Sequence, residues 1–108
     1  MERALPSGTV TLLFTDIEGS TRLLGAVGDR YGALLADHHR LLREVWAEHG
    51  GAEVDAEGDA FFVAFDEPRA AVLAAIEAQR RLAAHPWPGG RSVRVRMGVH
   101  TGTPRIRD

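Results

Sequence analysis

The sequence contains no cysteine, which excludes disulfides, thiolate metal sites and cysteine nucleophiles. It has no excess of basic residues either, because the formal net charge at pH 7 is −2, so binding to nucleic-acid phosphates is not expected. No apolar run approaches the roughly 20 residues that cross a bilayer, and the first ten residues lack the apolar core of a signal peptide. These absences predict one cytoplasmic domain over residues 1–108 that binds neither membrane nor nucleic acid.

The rest of the sequence alternates short apolar runs with two long amphipathic segments. Residues 1–8 are predicted to be a polar lead-in to the first strand. A brief helical segment is predicted from Ser20 or Thr21 to Leu24, after that strand and its turn. The patterns predict two main helices, over residues 31–50 and 68–85. They also predict four strands, over residues 9–15, 52–56, 61–65 and 93–99. The order strand, helix, strand, strand, helix, strand is that of an α+β, ferredoxin-like (split βαβ) fold, with an antiparallel sheet and two main helices on one face.

Two carboxylates are predicted to meet at one edge of this sheet. Asp16 follows the first strand and Asp59 precedes the third, and these strands are adjacent and antiparallel in the split βαβ fold. Two bare carboxylates repel each other, whereas a divalent cation between them removes that cost. Oxygen ligands suit Mg²⁺ or Mn²⁺ better than Zn²⁺. The alternative is a turn or helix cap, which is favoured for either acid taken singly and stays open for the pair.

The turn after Asp16 adds a second candidate function. Residues Ile17, Glu18, Gly19 and Ser20 are expected to present backbone N–H groups at the start of a helix. Helix N-termini and small-residue turns bind anions, and phosphate is a common one. Metal ligands beside a phosphate-binding turn indicate nucleoside triphosphate chemistry.

Three motifs resemble the class III adenylate/guanylate cyclase catalytic domain, most of all the bacterial forms fused to transcriptional regulators. They are LLFTDIEGSTRLL, EVDAEGDAFFVAF and VRVRMGVHTG, and the resemblance runs from about Gly8 to Pro104. It implies a phosphorus–oxygen lyase of cyclic-nucleotide signalling, which uses two metal ions to convert ATP or GTP into a cyclic 3′,5′-monophosphate and pyrophosphate. It implies Asp16, Asp59 and the Ile17 backbone as metal ligands, and residues 17–20 as the triphosphate-contacting turn.

The sequence departs from the family pattern at the second motif. Asp55 stands where the family has a purine-reading lysine, so an acceptor replaces a donor at this nucleotide-binding position. The family's Gly-Asp-Gly turn reads Gly58-Asp59-Ala60 here, which only requires Ala60 to avoid a positive φ.

The family's later segment, with a second base-reading residue, an asparagine and an arginine, does not lie within these residues. In the family, sites form at a head-to-tail interface between two domains. The resemblance therefore predicts an N-terminal portion of a cyclase domain that is weak or inactive alone. It also predicts nucleoside triphosphate as ligand and a homodimer or another cyclase domain as partner.

Two other functions are possible interpretations of the same pattern. The first is a non-catalytic module of the same fold that serves dimerisation or regulation. The second is a relative of diguanylate cyclases or polymerase palms, which is disfavoured because no Gly-Gly-Asp-Glu-Phe hairpin is present.

Several remaining polar and aromatic residues are given structural roles. Trp46 and His38 are predicted in the core, and Trp87 is predicted as either a loop anchor or an interface residue. Solvent-facing side chains are predicted for Glu18, Glu57, Arg94 and Arg96.

Overall fold

The computed structural model describes residues 8–103, which form a four-stranded sheet with helices on one face. The elements are β1 (Val10–Ile17), α1 (Ser20–Val27), α2 (Tyr31–Glu48), β2 (Ala52–Glu57), β3 (Ala60–Phe65), α3 (Pro68–Ala84) and β4 (Val95–Gly102). The strand order is β2-β3-β1-β4 and each neighbouring pair is antiparallel. The predicted α+β arrangement is confirmed, including the central position of the first and third strands. The predicted lead-in lies, apart from Gly8, outside the described residues.

Several boundaries differ from the predicted ones because strand pairing extends the elements. β1 continues through Asp16 and Ile17, which were predicted as part of the turn, since these residues pair with Arg96 and Val95 of β4. β4 begins at Val95 and continues to Gly102, so the predicted strand over residues 93–99 was placed too early. α1 extends to Val27, beyond the predicted end at Leu24.

The core lies between the sheet and the two long helices. Alternate residues of β1 and β3 are buried against the helices, namely Leu13, Ile17, Phe61, Val63 and Phe65. Trp46 of α2 is buried among them, as predicted. Trp87 is also buried, and its indole N–H donates to the Leu82 carbonyl at 2.8 Å. Of the two roles considered for Trp87, the contacts support the loop anchor.

The opposite face of the sheet carries no helix within residues 8–103. Phe14 pairs with Phe62 on one side and Gly98 on the other, and Phe62 pairs with Asp55. Because directly paired residues point to the same face, these four side-chain positions form one row across the sheet. The rings of Phe14 and Phe62 meet edge to face at 4.5 Å, yet Phe62 remains 42% exposed. We call this surface the open face.

None of the described helices has both the length and the apolar composition needed to span a membrane.

Candidate functional site

Strand pairing places Asp59 beside the end of β1, as the sequence predicted. The pairing of Thr15 with Phe61 continues to the hairpin turn, where the Asp59 carboxylate accepts the Ile17 N–H through Oδ2 at 2.6 Å. A hydrogen bond to an ionised acceptor is short and strong, so it orients this carboxylate relative to β1. The Asp59 carboxylate therefore lies at the end of β1 that carries Asp16 and Ile17.

The β2–β3 turn sets the position of Asp59. Its two linking residues are Gly58 and Asp59, and the positive φ of 60° falls on Gly58. A glycine at the first central position is typical of the two-residue type II′ hairpin, whose twist matches that of the strands. No described non-glycine residue has a positive φ, so Ala60 fits this turn without strain, as predicted.

Asp16 occupies a different position from the one that a helix cap requires. It pairs with Arg96 inside the sheet, and its two carboxylate oxygens accept from Arg96 Nε and Nη2, each at 2.8 Å. The N-cap of α1 is Gly19, and no side chain caps this helix. The cap hypothesis for Asp16 is therefore wrong.

Arg96 is the residue of the site that the sequence reasoning missed. It was predicted to be solvated, and its side chain is 65% exposed, but its guanidinium makes a two-pronged contact with Asp16. This contact raises the pKa of Arg96, mainly through the hydrogen bonds to Asp16 and then through that residue's charge. The alternation of apolar and charged residues along β4 predicts that Arg96 lies on the open face. It does not predict the pairing with Asp16, because that pairing depends on the register between β4 and β1.

The turn after Asp16 presents fewer N–H groups than predicted. The Ile17 N–H donates to Asp59, and the Glu18 N–H donates to the Arg94 carbonyl at 2.8 Å. In this structure both donors are thus used inside the protein, and contact of Ile17 and Glu18 with a triphosphate stays a prediction. The first α1 bond runs from Leu23 N–H to the Gly19 carbonyl, so the N–H groups of residues 20–22 have no acceptor inside the helix. The candidate anion site accordingly narrows to Gly19 and the first turn of α1.

Two ionisable side chains from α2 respond to the charge of Asp59. Burial raises the pKa of Tyr31, and the negative charge of Asp59 adds to this effect. The pKa of His38 is lowered to about 4, first by burial and then by the neighbouring His39, while the negative charge of Asp59 acts in the opposite direction. His38 is thus neutral at pH 7 and fully buried, which confirms its predicted role as a packed histidine.

Asp55 lies on the open face, beside Phe62 and one row away from the pairing of Asp16 with Arg96. Its carboxylate accepts the Ala56 N–H at 2.9 Å and its side chain is exposed. An acceptor is therefore available at the position where the resemblance places base recognition. Glu18 and Glu57 are exposed, as predicted.

The oxygen atoms at the sheet edge fit a hard divalent cation. Within the described part of the chain, no group of three or more histidine or acidic side chains could hold a metal ion. Mg²⁺ commonly takes only one or two protein carboxylates and completes its shell with water and substrate phosphates. In this structure the cation bound to the Asp16 carboxylate is the Arg96 guanidinium. Asp16, Asp59 and the Ile17 carbonyl would be the ligands, and this assignment stays a prediction.

A groove of about 360 Å³ opens beside these residues on the open face. Its lining includes Asp16, Arg96 and the two aromatic rings of the sheet, Phe14 and Phe62. The lining of the groove thus combines the apolar rings of Phe14 and Phe62 with the charged side chains of Asp16 and Arg96. This combination suits a ligand with a planar apolar part and an anionic part.

The sheet order, the paired aspartates and the short helix after the first of them define a nucleotide-cyclase type of domain. The family model described as the adenylate and guanylate cyclase catalytic domain matches residues 3–107. The chain therefore belongs to this family.

Individual relatives agree with this assignment. An adenylate cyclase of Lachancea kluyveri is 36% identical over 95% of this chain, and a receptor-type adenylate cyclase, GRESAG 4.3, of Trypanosoma brucei brucei is 44% identical over 76% of it. A solved adenylate cyclase structure from Trypanosoma brucei, in its monomeric state, superposes with a TM-score of 0.88 at 32% identity.

The chain is much shorter than these proteins. It spans 7% of the length of each of the two curated relatives, and 61% of the solved Trypanosoma brucei chain while 97% of this chain is covered. The similarity therefore concerns the cyclase domain of the larger proteins.

Proposed function

We propose that this domain contributes to the conversion of a purine nucleoside triphosphate into a cyclic 3′,5′-monophosphate and pyrophosphate. The observation that carries the proposal is the meeting of Asp16 and Asp59 at one sheet edge, next to the exposed start of α1. Family membership supports it, because similar relatives are named adenylate cyclases.

The side chains of the site have distinct roles in this proposal. Asp16 and Asp59 hold two divalent cations, Mg²⁺ or Mn²⁺, with the Ile17 carbonyl as a third ligand. Gly19 and Ser20 contact the triphosphate through backbone N–H groups. Asp55 and Gly58 line the path of the nucleotide, and the acceptor of Asp55 faces hydrogen-bond donors of the base.

Bound divalent cations supply positive charge beside the triphosphate and favour the deprotonated form of a nearby hydroxyl. Arg96 provides a further positive charge at the same edge, where it now pairs with Asp16. Once the Asp16 carboxylate has another cation, the Arg96 guanidinium is free to contact phosphate oxygens. Fixed positive charge next to a developing anion contributes strongly to phosphoryl-transfer rates.

A second domain completes the site in this proposal. The open face exposes Phe62 and part of Phe14 beside the groove, and neither is covered by another described element. A homodimer or a pairing with another cyclase domain would cover these rings and enclose the nucleotide. The isolated chain is expected to have low activity.

The test measures product and binding together. The chain is incubated with Mn²⁺ and either ATP or GTP, cyclic nucleotide is quantified by mass spectrometry, and binding of the Mn²⁺–nucleotide is measured by calorimetry. We expect Asp16→Asn and Asp59→Asn to lower product formation at least about a hundredfold and to weaken binding.

Asp29→Asn is the matched control, because Asp29 is an exposed acid in the turn before α2. Binding that is unchanged in the Asp16→Asn, Asp59→Asn double variant would contradict the proposal. Clear binding without any product, even at high enzyme concentration, would favour the alternative of a catalytically incomplete module used for dimerisation or regulation.

A further inference from the structure

A second groove lies on the far side of the turn that follows Asp16. It has a volume of about 570 Å³, and Arg22, Arg91, Arg94 and Ser92 line it. It shares no lining residue with the groove beside Asp16 and Arg96. Arg91 and Arg94 also line a neighbouring groove of about 820 Å³, whose lining includes Trp87.

The arginines of this region come from separate segments that converge. Arg22 lies on α1 and Arg94 just before β4, while Arg30 and Arg91 flank Gly89. One guanidinium nitrogen of Arg30 and one of Arg91 each lie within 4 Å of the point that a Cβ on Gly89 would occupy. The fold therefore brings several positive charges to one surface.

These arginines differ in their partners from four of the six other arginines of the described chain. Arg40, Arg43, Arg81 and Arg96 each pair with an acidic side chain. Within residues 8–103, no such ion pair forms at Arg22, Arg30, Arg91 or Arg94; the nearest acid in the lining is Glu18. Positive charges gathered without partners repel one another, and a multiply charged anion would remove that cost.

We propose that this basic groove, formed by Arg22, Arg91, Arg94 and Ser92 with Arg30 at its end, binds a condensed phosphate chain such as pyrophosphate. Guanidinium groups pair with phosphate oxygens through two parallel hydrogen bonds, and several of them along a groove match a ligand with linked phosphates better than a single carboxylate. The Ser92 hydroxyl adds a neutral donor. The proposal does not depend on cyclase activity, because Arg91, Ser92 and Arg94 have no role in the cyclase proposal, although Gly19, which is given a triphosphate contact there, also lines this groove.

The test is calorimetry with inorganic pyrophosphate and with tripolyphosphate, in EDTA and at physiological salt, where weak surface attraction is screened. We expect the double variant Arg91→Gln, Arg94→Gln to bind pyrophosphate at least about tenfold more weakly than the original chain. The control is Arg69→Gln, Arg80→Gln on α3, which removes the same charge from exposed arginines outside the groove. It should change the affinity by less than about twofold.

Two further measurements locate the ligand and identify its source. In nitrogen-15 spectra, pyrophosphate should shift the amide signals of residues 89–94 and leave Gly98 unchanged. The Asp16→Asn, Asp59→Asn double variant should bind pyrophosphate like the original chain, which separates this proposal from the cyclase proposal. ATP and GTP serve as competitors, and their binding in place of pyrophosphate would identify a nucleotide as the source of the phosphate chain.

Equal losses in the groove variant and the α3 control would mean general surface attraction only, and the proposal would be wrong. Absence of binding by the original chain at physiological salt would overturn it equally.

Discussion

The Asp16 carboxylate is bound by Arg96 and is also the proposed ligand of a divalent metal ion, so the two cations compete for it. Both oxygens of Asp16 accept from the guanidinium at 2.8 Å, so Arg96 competes with a metal ion for this carboxylate, although each oxygen keeps a further lone pair. We therefore predict that Arg96→Gln binds Mn²⁺ several-fold more tightly than the original chain. Free Mn²⁺ measured by electron paramagnetic resonance gives the affinity without any need for turnover. Arg94→Gln, two positions earlier and without a contact to Asp16, should leave the affinity unchanged; weaker binding in Arg96→Gln would contradict the competition.

His38 makes the stability of the fold depend on pH. Its pKa in the folded protein is about 4, mainly because it is buried, against 6.5 for an unperturbed histidine. Between these values the unfolded chain takes up a proton that the folded chain does not. The free energy of unfolding should therefore be highest above pH 6.5 and fall as the pH drops toward 4, by on the order of 3 kcal/mol from this residue.

Urea unfolding followed by tryptophan fluorescence at pH 7 and pH 4.5 measures this effect. His38→Leu should reduce the loss of stability between these pH values, whereas His100→Gln, at an exposed position of β4, should retain it. If His38→Leu keeps the full pH dependence, another group is responsible. The neighbouring charges that enter this titration are His39 and Asp59.

The residues of the site differ in how far the sequence could predict them. The meeting of Asp16 with Asp59 follows from the order of the elements alone, since any split βαβ sheet joins those strand ends. The pairing of Arg96 with Asp16 depends on the register between β1 and β4. The hydrophobic pattern determines which face each residue is on, but not which residue of the neighbouring strand it pairs with. The use of the Ile17 and Glu18 N–H groups inside the protein likewise depends on two contacts between distant segments.

At the scale of elements, the link between α2 and β2 is the most tightly packed turn that the structure describes around a glycine. A Cβ on Gly51 would lie 2.8 Å from side-chain atoms of both Phe65 and Val63, which are fully buried. Gly51→Ala should therefore force the end of α2 away from β3 and lower the free energy of unfolding by about 1–3 kcal/mol.

Gly32→Ala, inside α2, is the comparison substitution. Nothing lies within 4 Å of a Cβ at this position, and alanine favours a helix over glycine by up to about 1 kcal/mol. Urea unfolding should therefore show opposite signs for the two variants. A loss of stability in both would mean that steric crowding at Gly51 is not the cause.

The boundaries of the elements depend partly on strand pairing, which the local sequence pattern does not contain. The type and order of the main elements were predicted correctly, because they depend on local periodicity. The ends of β1 and β4 were not, because Asp16 and Ile17 are held in β1 by pairing with β4, eighty residues further along the chain. Propensity alone favours a turn at an Asp followed by glycine, and tertiary pairing overrides it here.

At the scale of the whole molecule, the open face is the surface on which the proposed function depends. Phe62 is 42% exposed and packs against Phe14, next to the groove that contains Asp16. If two domains meet through this face, a charge at its centre would be buried without a partner. We therefore predict that the original chain forms a homodimer in analytical ultracentrifugation and that Phe62→Lys is monomeric, since an unpaired buried charge costs several kcal/mol.

Ile76→Lys provides the matched control. Ile76 is an equally exposed apolar residue, at 46%, but it lies on α3, on the other side of the sheet. It should leave the dimer intact, so that a loss of association in both variants would indicate general surface hydrophobicity as the cause. A dimer that survives Phe62→Lys would place the interface elsewhere. In that case the groove beside Asp16 would have to bind nucleotide without a second domain across it, and the low activity expected of the isolated chain would need a different cause.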